Sequence, residues 1–142
     1  IRLSLVGSEM CIRDRLWVKA MTMQIANKKT KFFRWHDSGD IQDLKHLAKI
    51  FEVAKRTPDI AHWLPTREAW TKAYQDRAPS NLKLIFSMPM VNQEAAGKFK
   101  YTSTVVTDSK KATCPAPNQD NECKDCRACW DKKVKNVAYH AH

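Results

Sequence analysis

Two hydrophobic periods divide the chain, and the change from one to the other marks the elements. From Leu16 to Lys31, the residues Leu16, Trp17, Val18, Ala20, Met21, Met23, Ile25 and Ala26 can make one side of a helix, which Asn27-Lys28-Lys29-Thr30 would end. Lys31 to His36 reads as a strand, with Phe33 and Trp35 on one face. Asp37-Ser38-Gly39-Asp40 follows as a turn, and Asp40 is the expected N-cap of a helix over Ile41 to Arg56. In that helix Leu44, Leu47, Ala48, Phe51 and Ala54 form an apolar stripe, and Thr57-Pro58-Asp59 stops it. Ile60 to Leu64 is a second short strand. Pro65-Thr66-Arg67 makes the corner, and Thr66 caps a helix from Glu68 to Arg77 that buries Ala69, Trp70 and Ala73.

After the break at Ala78-Pro79-Ser80-Asn81, Leu82 to Ser87 is the clearest strand of the chain. Val91 to Lys100 is of mixed polarity and reads as a loop. Tyr101 to Val106 is rich in β-branched residues and reads as a strand, and Val134 to Tyr139 is a short final one. Strands alternating with helices predict βαβ units with right-handed crossovers, hence a parallel sheet for the first three strands. Ligand-binding groups collect at the C-terminal ends of such strands. His36, Asp37, Ser38 and Asp40 lie at the first of these ends, Thr66 and Arg67 at the second, and Ser87-Met88-Pro89 at the third.

Charge and composition change this picture little. The chain has 142 residues, 43% hydrophobic and 28% charged, which suits one globular domain without a membrane span. The formal charge of +10 favours anionic partners, nucleic acid among them, but the lysines are scattered in short pieces such as Lys28-Lys29 and Lys110-Lys111. No Ser-His-Asp order, P-loop or dinucleotide fingerprint is present.

Cysteine changes it more. Cys114, Cys123, Cys126 and Cys129 fall within sixteen residues, spaced C-x8-C-x2-C-x2-C. Tight turns at two-residue spacing bring sulfurs to one side, and four sulfurs complete a shell for zinc or hold an iron–sulfur cluster. A secreted disulfide framework would spread its cysteines through the fold, so a reducing, cytoplasmic setting is expected, with residues 107–133 as a metal-binding loop. Pro115 and Pro117 stiffen the long span, and Trp130 can shield the site. His140 or His142 can replace one cysteine.

Residues 1–15 stand apart. The string from Leu5 to Arg15 resembles a translated transposon-end sequencing adapter. That resemblance implies a truncated reading frame, a disordered leader outside the fold, and a single domain over 16–142.

Arg34-Trp35-His36-Asp37-Ser38-Gly39-Asp40, Ala54-Lys55-Arg56-Thr57-Pro58, Thr66-Arg67 and Cys126-Arg127-Ala128-Cys129-Trp130 carry a second resemblance. With them, the chain resembles the C-terminal half of the gene-product-88 family of bacteriophage proteins. The resemblance implies a partial (βα) barrel in the host cytoplasm. It also implies an upstream cysteine group like that of radical-SAM enzymes, and with it an enzymatic role and S-adenosylmethionine as a cofactor of the full-length protein. By analogy the acidic loop at His36 to Asp40 would hold the amino group of that cofactor. The alternative is a non-enzymatic, zinc-stabilised module that binds nucleic acid or protein. In either case Cys11 is expected to be idle. Cys11→Ser should leave bound metal unchanged on elemental analysis, and a loss of metal would place Cys11 in a site.

Overall fold

The computed structural model describes residues 11–36 and 39–141. Five parallel strands lie side by side in chain order: β1 (Phe32–Arg34), β2 (Ala61–Thr66), β3 (Leu82–Ser87), β4 (Thr102–Val106) and β5 (Asn136–His140). Each crossover steps the chain one strand in the same direction, as right-handed connections do. The sheet curls into half of a barrel, so the expected parallel α/β architecture is present, and it extends through the last strand.

The two faces of the sheet differ in kind. Leu64, Leu82 and Leu84 point outward and pack against α1 (Ile12–Asn27) and α2 (Leu44–Arg56). α2 contributes the stripe read from the sequence, with Leu47, Ala48, Phe51 and Ala54 all buried, and adds Ile50 and Val53, which that stripe did not include. Each such large side chain, once buried, stabilises the fold by about 1.5–3 kcal/mol. Period-two alternation sends their neighbours Arg34, Trp63, Lys83, Ile85 and Tyr139 to the inner, concave face.

Three local expectations are corrected. First, α1 begins at Ile12, one turn before Leu16, so residues 11–15 are not outside the fold. Cys11 Sγ caps its first turn by accepting from the Asp14 amide at 3.4 Å. Buried Asp14 pairs with Lys49 of α2 at 3.3 Å, and the Lys49 ammonium lies 4.9 Å from the Trp17 ring centre. Second, α2 begins at Leu44 and is capped by Asp43, whose carboxylate accepts from the His46 amide. Asp40 does not cap it because its carboxylate is committed to the end of β2, as described below. Third, residues Ala69–Arg77 form a 3₁₀ helix, and they bury Thr71 and Gln75 while Ala69, Trp70 and Ala73 stay exposed.

Gln75 explains that inversion. β3 and β4 pair only at Phe86–Thr102 and Ser87–Ser103. Where they diverge, the Gln75 amide donates to the carbonyls of Leu84 and Tyr101, each at 2.9 Å, and accepts from the Lys100 amide. The segment is therefore anchored by one polar side chain that satisfies backbone groups the sheet leaves open. Among the described residues no helix is long and apolar enough to cross a membrane.

His62, on the outer face of β2, is fully buried. Trp35 Nε1–H donates to His62 Nδ1 at 3.0 Å, so Nε2 carries the proton and donates to Thr57 Oγ at 2.8 Å. Thr57 in turn donates to the Val53 carbonyl at 2.9 Å, which closes a relay from Trp35, just after β1, through β2 to the end of α2. Burial drives the His62 pKa down to about 4. The unfolded imidazole takes a proton below its ordinary value near 6.5, while the folded one stays neutral. Stability is therefore full above pH 6.5 and falls as pH drops toward 4, by about 3 kcal/mol in all. Urea midpoints measured from pH 7 to 4.5 should show this fall, and His62→Gln should flatten it. An equal slope in both proteins would mean that other groups carry the acid sensitivity.

Candidate functional site

The connection from β4 to β5 carries the cysteines and contains only two short 3₁₀ turns, Ser109–Lys111 and Ala116–Asn118. It crosses the concave face as a strap between the two edges of the sheet. At one edge the amides of Thr113 and Cys114 donate to the Ala138 carbonyl of β5, while the Ala138 amide donates to Thr113 Oγ. At the other edge Trp130 Nε1–H donates to the Phe33 carbonyl of β1 at 3.0 Å. Trp130 also packs edge-on against Trp63 and Phe32. In the centre Lys83, which is 1% exposed, donates from Nζ to the Ala128 carbonyl at 2.9 Å and lies over the Tyr101 ring. Burial lowers its pKa to about 8, opposed by the nearby Cys129 and Asp131.

Beneath the strap is a cavity of about 240 Å³, lined by Cys114, Cys123 and Cys129 of the strap and by Arg34, Trp63 and Tyr139 of the strands. None of the cysteines is in a disulfide. Cys129 is buried and lies 3.0 Å from the Tyr139 hydroxyl. Burial pushes its thiol pKa up to about 11, with the Tyr139 hydrogen bond acting against this and the other two cysteines adding to it. Burial likewise raises the Tyr139 phenol.

The expected shell of four sulfurs is not assembled. Among the described residues, no three His, Cys, Asp or Glu side chains form a ready metal-holding group. Cys126 does not line the cavity. Its amide turns back to the Cys123 carbonyl at 2.9 Å, and the Arg127 guanidinium clasps the carbonyls of Lys124 and Cys126 while covering the Phe32 ring. Lys124 adopts a left-handed backbone with φ of 47°, as do Asp120 and Asn121. His140 lines the same cavity as the three cysteines, and its Nε2 lies 3.1 Å from the Thr107 carbonyl. His142 lies outside the described residues.

Most of the residues expected at the strand ends lie close together. His36, Asp40, Thr66, Arg67 and Ser87 line one opening of about 260 Å³ together with Arg34. Asp37 and Ser38 lie outside the described residues. Asp40 ties the loop after β1 to the end of β2. Its Oδ1 accepts from Thr66 Oγ at 2.6 Å and from the Ile41 amide, and its Oδ2 accepts from the Arg67 amide at 2.8 Å. The carboxylate therefore serves the loop itself. His36 has a left-handed backbone with φ of 56°, and its buried Nε2 has no partner among the described residues. Burial lowers its pKa, and Asp40 draws it the other way.

Sequence reasoning missed Arg34 and Lys83. Both sit within strands, where a lone charge reads as a solvated position, and parity alone could have paired them on the inner face. Another cavity, about 470 Å³, lies on the outer side of β4 and β5 among the described residues. Its polar walls are already joined, Asn92 to Thr107 and Thr104 to Asn136, so it offers few unmet groups.

The family model described as gene product 88 matches residues 8–132. No curated protein and no solved structure matches the chain.

Asp40→Asn preserves shape but turns one acceptor into a donor facing amide or hydroxyl donors. It should lower stability by about 1–3 kcal/mol, read as a fall in urea midpoint without a change in slope. An unchanged midpoint would show that the loop is held by other contacts.

Proposed function

The chain belongs to the gene product 88 family, and from that premise we propose that it is a metalloprotein whose cysteine strap holds a zinc ion or an iron–sulfur cluster against the inside of a half-barrel. The observation that carries this reading is the convergence of Cys114, Cys123 and Cys129 on one small cavity from a strap with few apolar residues of its own. The donor type suits a soft metal, since three cysteines line the same cavity. Lys83 behind Cys129 supplies a buried positive charge to offset thiolates, and Tyr139 supplies a hydroxyl to the Cys129 sulfur. Cys126 or His140 completes the set. Cys126 needs the corner held by Arg127 to open; His140 already faces the cavity and can keep its contact to the Thr107 carbonyl.

Bound there, zinc would supply a crosslink for the strap, and a cluster would supply electron transfer. Among the protein's own residues, Trp63 lines the cavity with Trp130 packed behind it, and Arg34 and Tyr139 border both this cavity and the adjoining groove on the concave face. Catalysis with S-adenosylmethionine, implied by the family resemblance, would place that molecule on this same face.

Protein purified without oxygen should contain one equivalent of zinc and be colourless, or contain iron and be coloured in the visible. Cys114→Ser, Cys123→Ser and Cys129→Ser should each lose the metal. Comparing Cys126→Ser with His140→Asn identifies the fourth ligand by which one loses it. Metal-free protein of unchanged stability, or three cysteine variants with full metal content, would defeat the reading.

A further inference from the structure

Arg34 is the one described side chain that borders all three inner openings: the cysteine cavity, the opening at the strand ends, and a groove of about 390 Å³ between them. Its guanidinium lies 4.7 Å from the centre of the Trp63 ring, and Trp63 is itself braced edge-on by Trp130. Stacking of this kind fixes the plane of the fork while leaving its N–H donors available. No acidic side chain pairs with Arg34 among the described residues.

A second cation stands nearby: Arg67 lines the strand-end opening together with His36, and His140 lines the groove. Asp40 is the one described carboxylate on these walls, and its oxygens are already taken by Thr66, Ile41 and Arg67. Ser103 Oγ donates to Ser87 Oγ at 3.0 Å, so the Ser87 proton remains to be given to a ligand at the floor of the groove. Pro65 and Val105 supply an apolar wall beside Trp63.

We propose that this groove binds a small organic oxyanion, a carboxylate or a phosphate monoester, with its charged end on the Arg34 fork and its apolar body against Trp63, Pro65 and Val105. Arg34 reads the anion by paired N–H donors, Ser87 gives a further hydrogen bond, and Arg67 strengthens the field at the mouth. The site is of the size that takes small ligands, and it lies on the concave face toward the strand C-termini, where parallel sheets gather ligand groups. It stands whether or not the cysteines hold a metal, because none of its anion-reading groups is a cysteine.

The probes are benzoate, phenyl phosphate and inorganic phosphate, titrated calorimetrically at constant ionic strength into the full chain. Metal content is measured on every sample. Benzoate or phenyl phosphate should bind saturably with one site, and more tightly than inorganic phosphate, which lacks the apolar body. Preference between the first two tells carboxylate from phosphate. Arg34→Met should weaken binding at least tenfold. Arg34→Lys, which keeps the charge but not the fork, should weaken it several-fold, and both variants should retain the metal content of the parent. No saturable binding by any probe, or equal binding by parent and Arg34→Met, overturns the proposal. Anion binding by a metal-free parent would leave it intact and count against the metal reading alone. If Arg34→Met fails to fold, equal affinity in Arg34→Lys and Ser87→Ala would overturn it instead.

Discussion

The structure turns on a buried ammonium group. Removing Lys83 from water costs several kcal/mol, and its hydrogen bond to the Ala128 carbonyl and its place over Tyr101 offset about 2 kcal/mol each. The remainder needs negative charge close by, and Asp131 is the carboxylate positioned to supply it. Lys83 thus binds the middle of the strap to the middle of the sheet. The edges follow from that: Cys114 and Thr113 reach β5, and Trp130 reaches β1. A connection that carries no helix to cover the sheet is held by three polar attachments instead.

This division of labour separates the two faces of one sheet. On the outer face apolar side chains do the holding, and the polar relay through His62 is fully paired within itself. On the inner face the cations outnumber the groups that could pair them, and openings remain between strap and strands. A parallel strand is normally covered on both sides, so an inner face with Arg34, Lys83 and two serines is the part that packing does not explain. Excess polarity on an otherwise buried surface is where function is sought.

The strands were legible because period-two runs and turn residues agree, as in Leu82 to Ser87 between Asn81 and Met88. α2 was legible because its stripe is strong, although its start was displaced by three residues. Asp40 and Asp43 carry the same carboxylate, and sequence cannot say which finds an amide and which finds Thr66. The 3₁₀ segment was misread for a related reason. Trp70 and Ala73 looked like core, but the requirement at that place was a side-chain amide for two open carbonyls, which Gln75 meets. Tertiary demands of this kind leave no periodic trace. The cysteine spacing was plain, whereas the placement of the strap inside the curl, and Cys126 turned away from its partners, depend on contacts with residues far off in the chain.

The candidate site accordingly moves inward from where the sequence put it. His36 and Asp40 looked like ligand groups because they follow a strand, yet Asp40 spends both oxygens on the loop that carries it. Arg34, two residues before His36, has the opposite balance: it is held by an aromatic stack that uses none of its donors, and it opens toward the cysteines on one side and the strand ends on the other. A group fixed in place but chemically unspent is better suited to meet a ligand than one already satisfied. On that criterion the inner groove, rather than the acidic turn at its rim, is the better candidate for a ligand surface on this half-barrel, with the cysteine strap beside it.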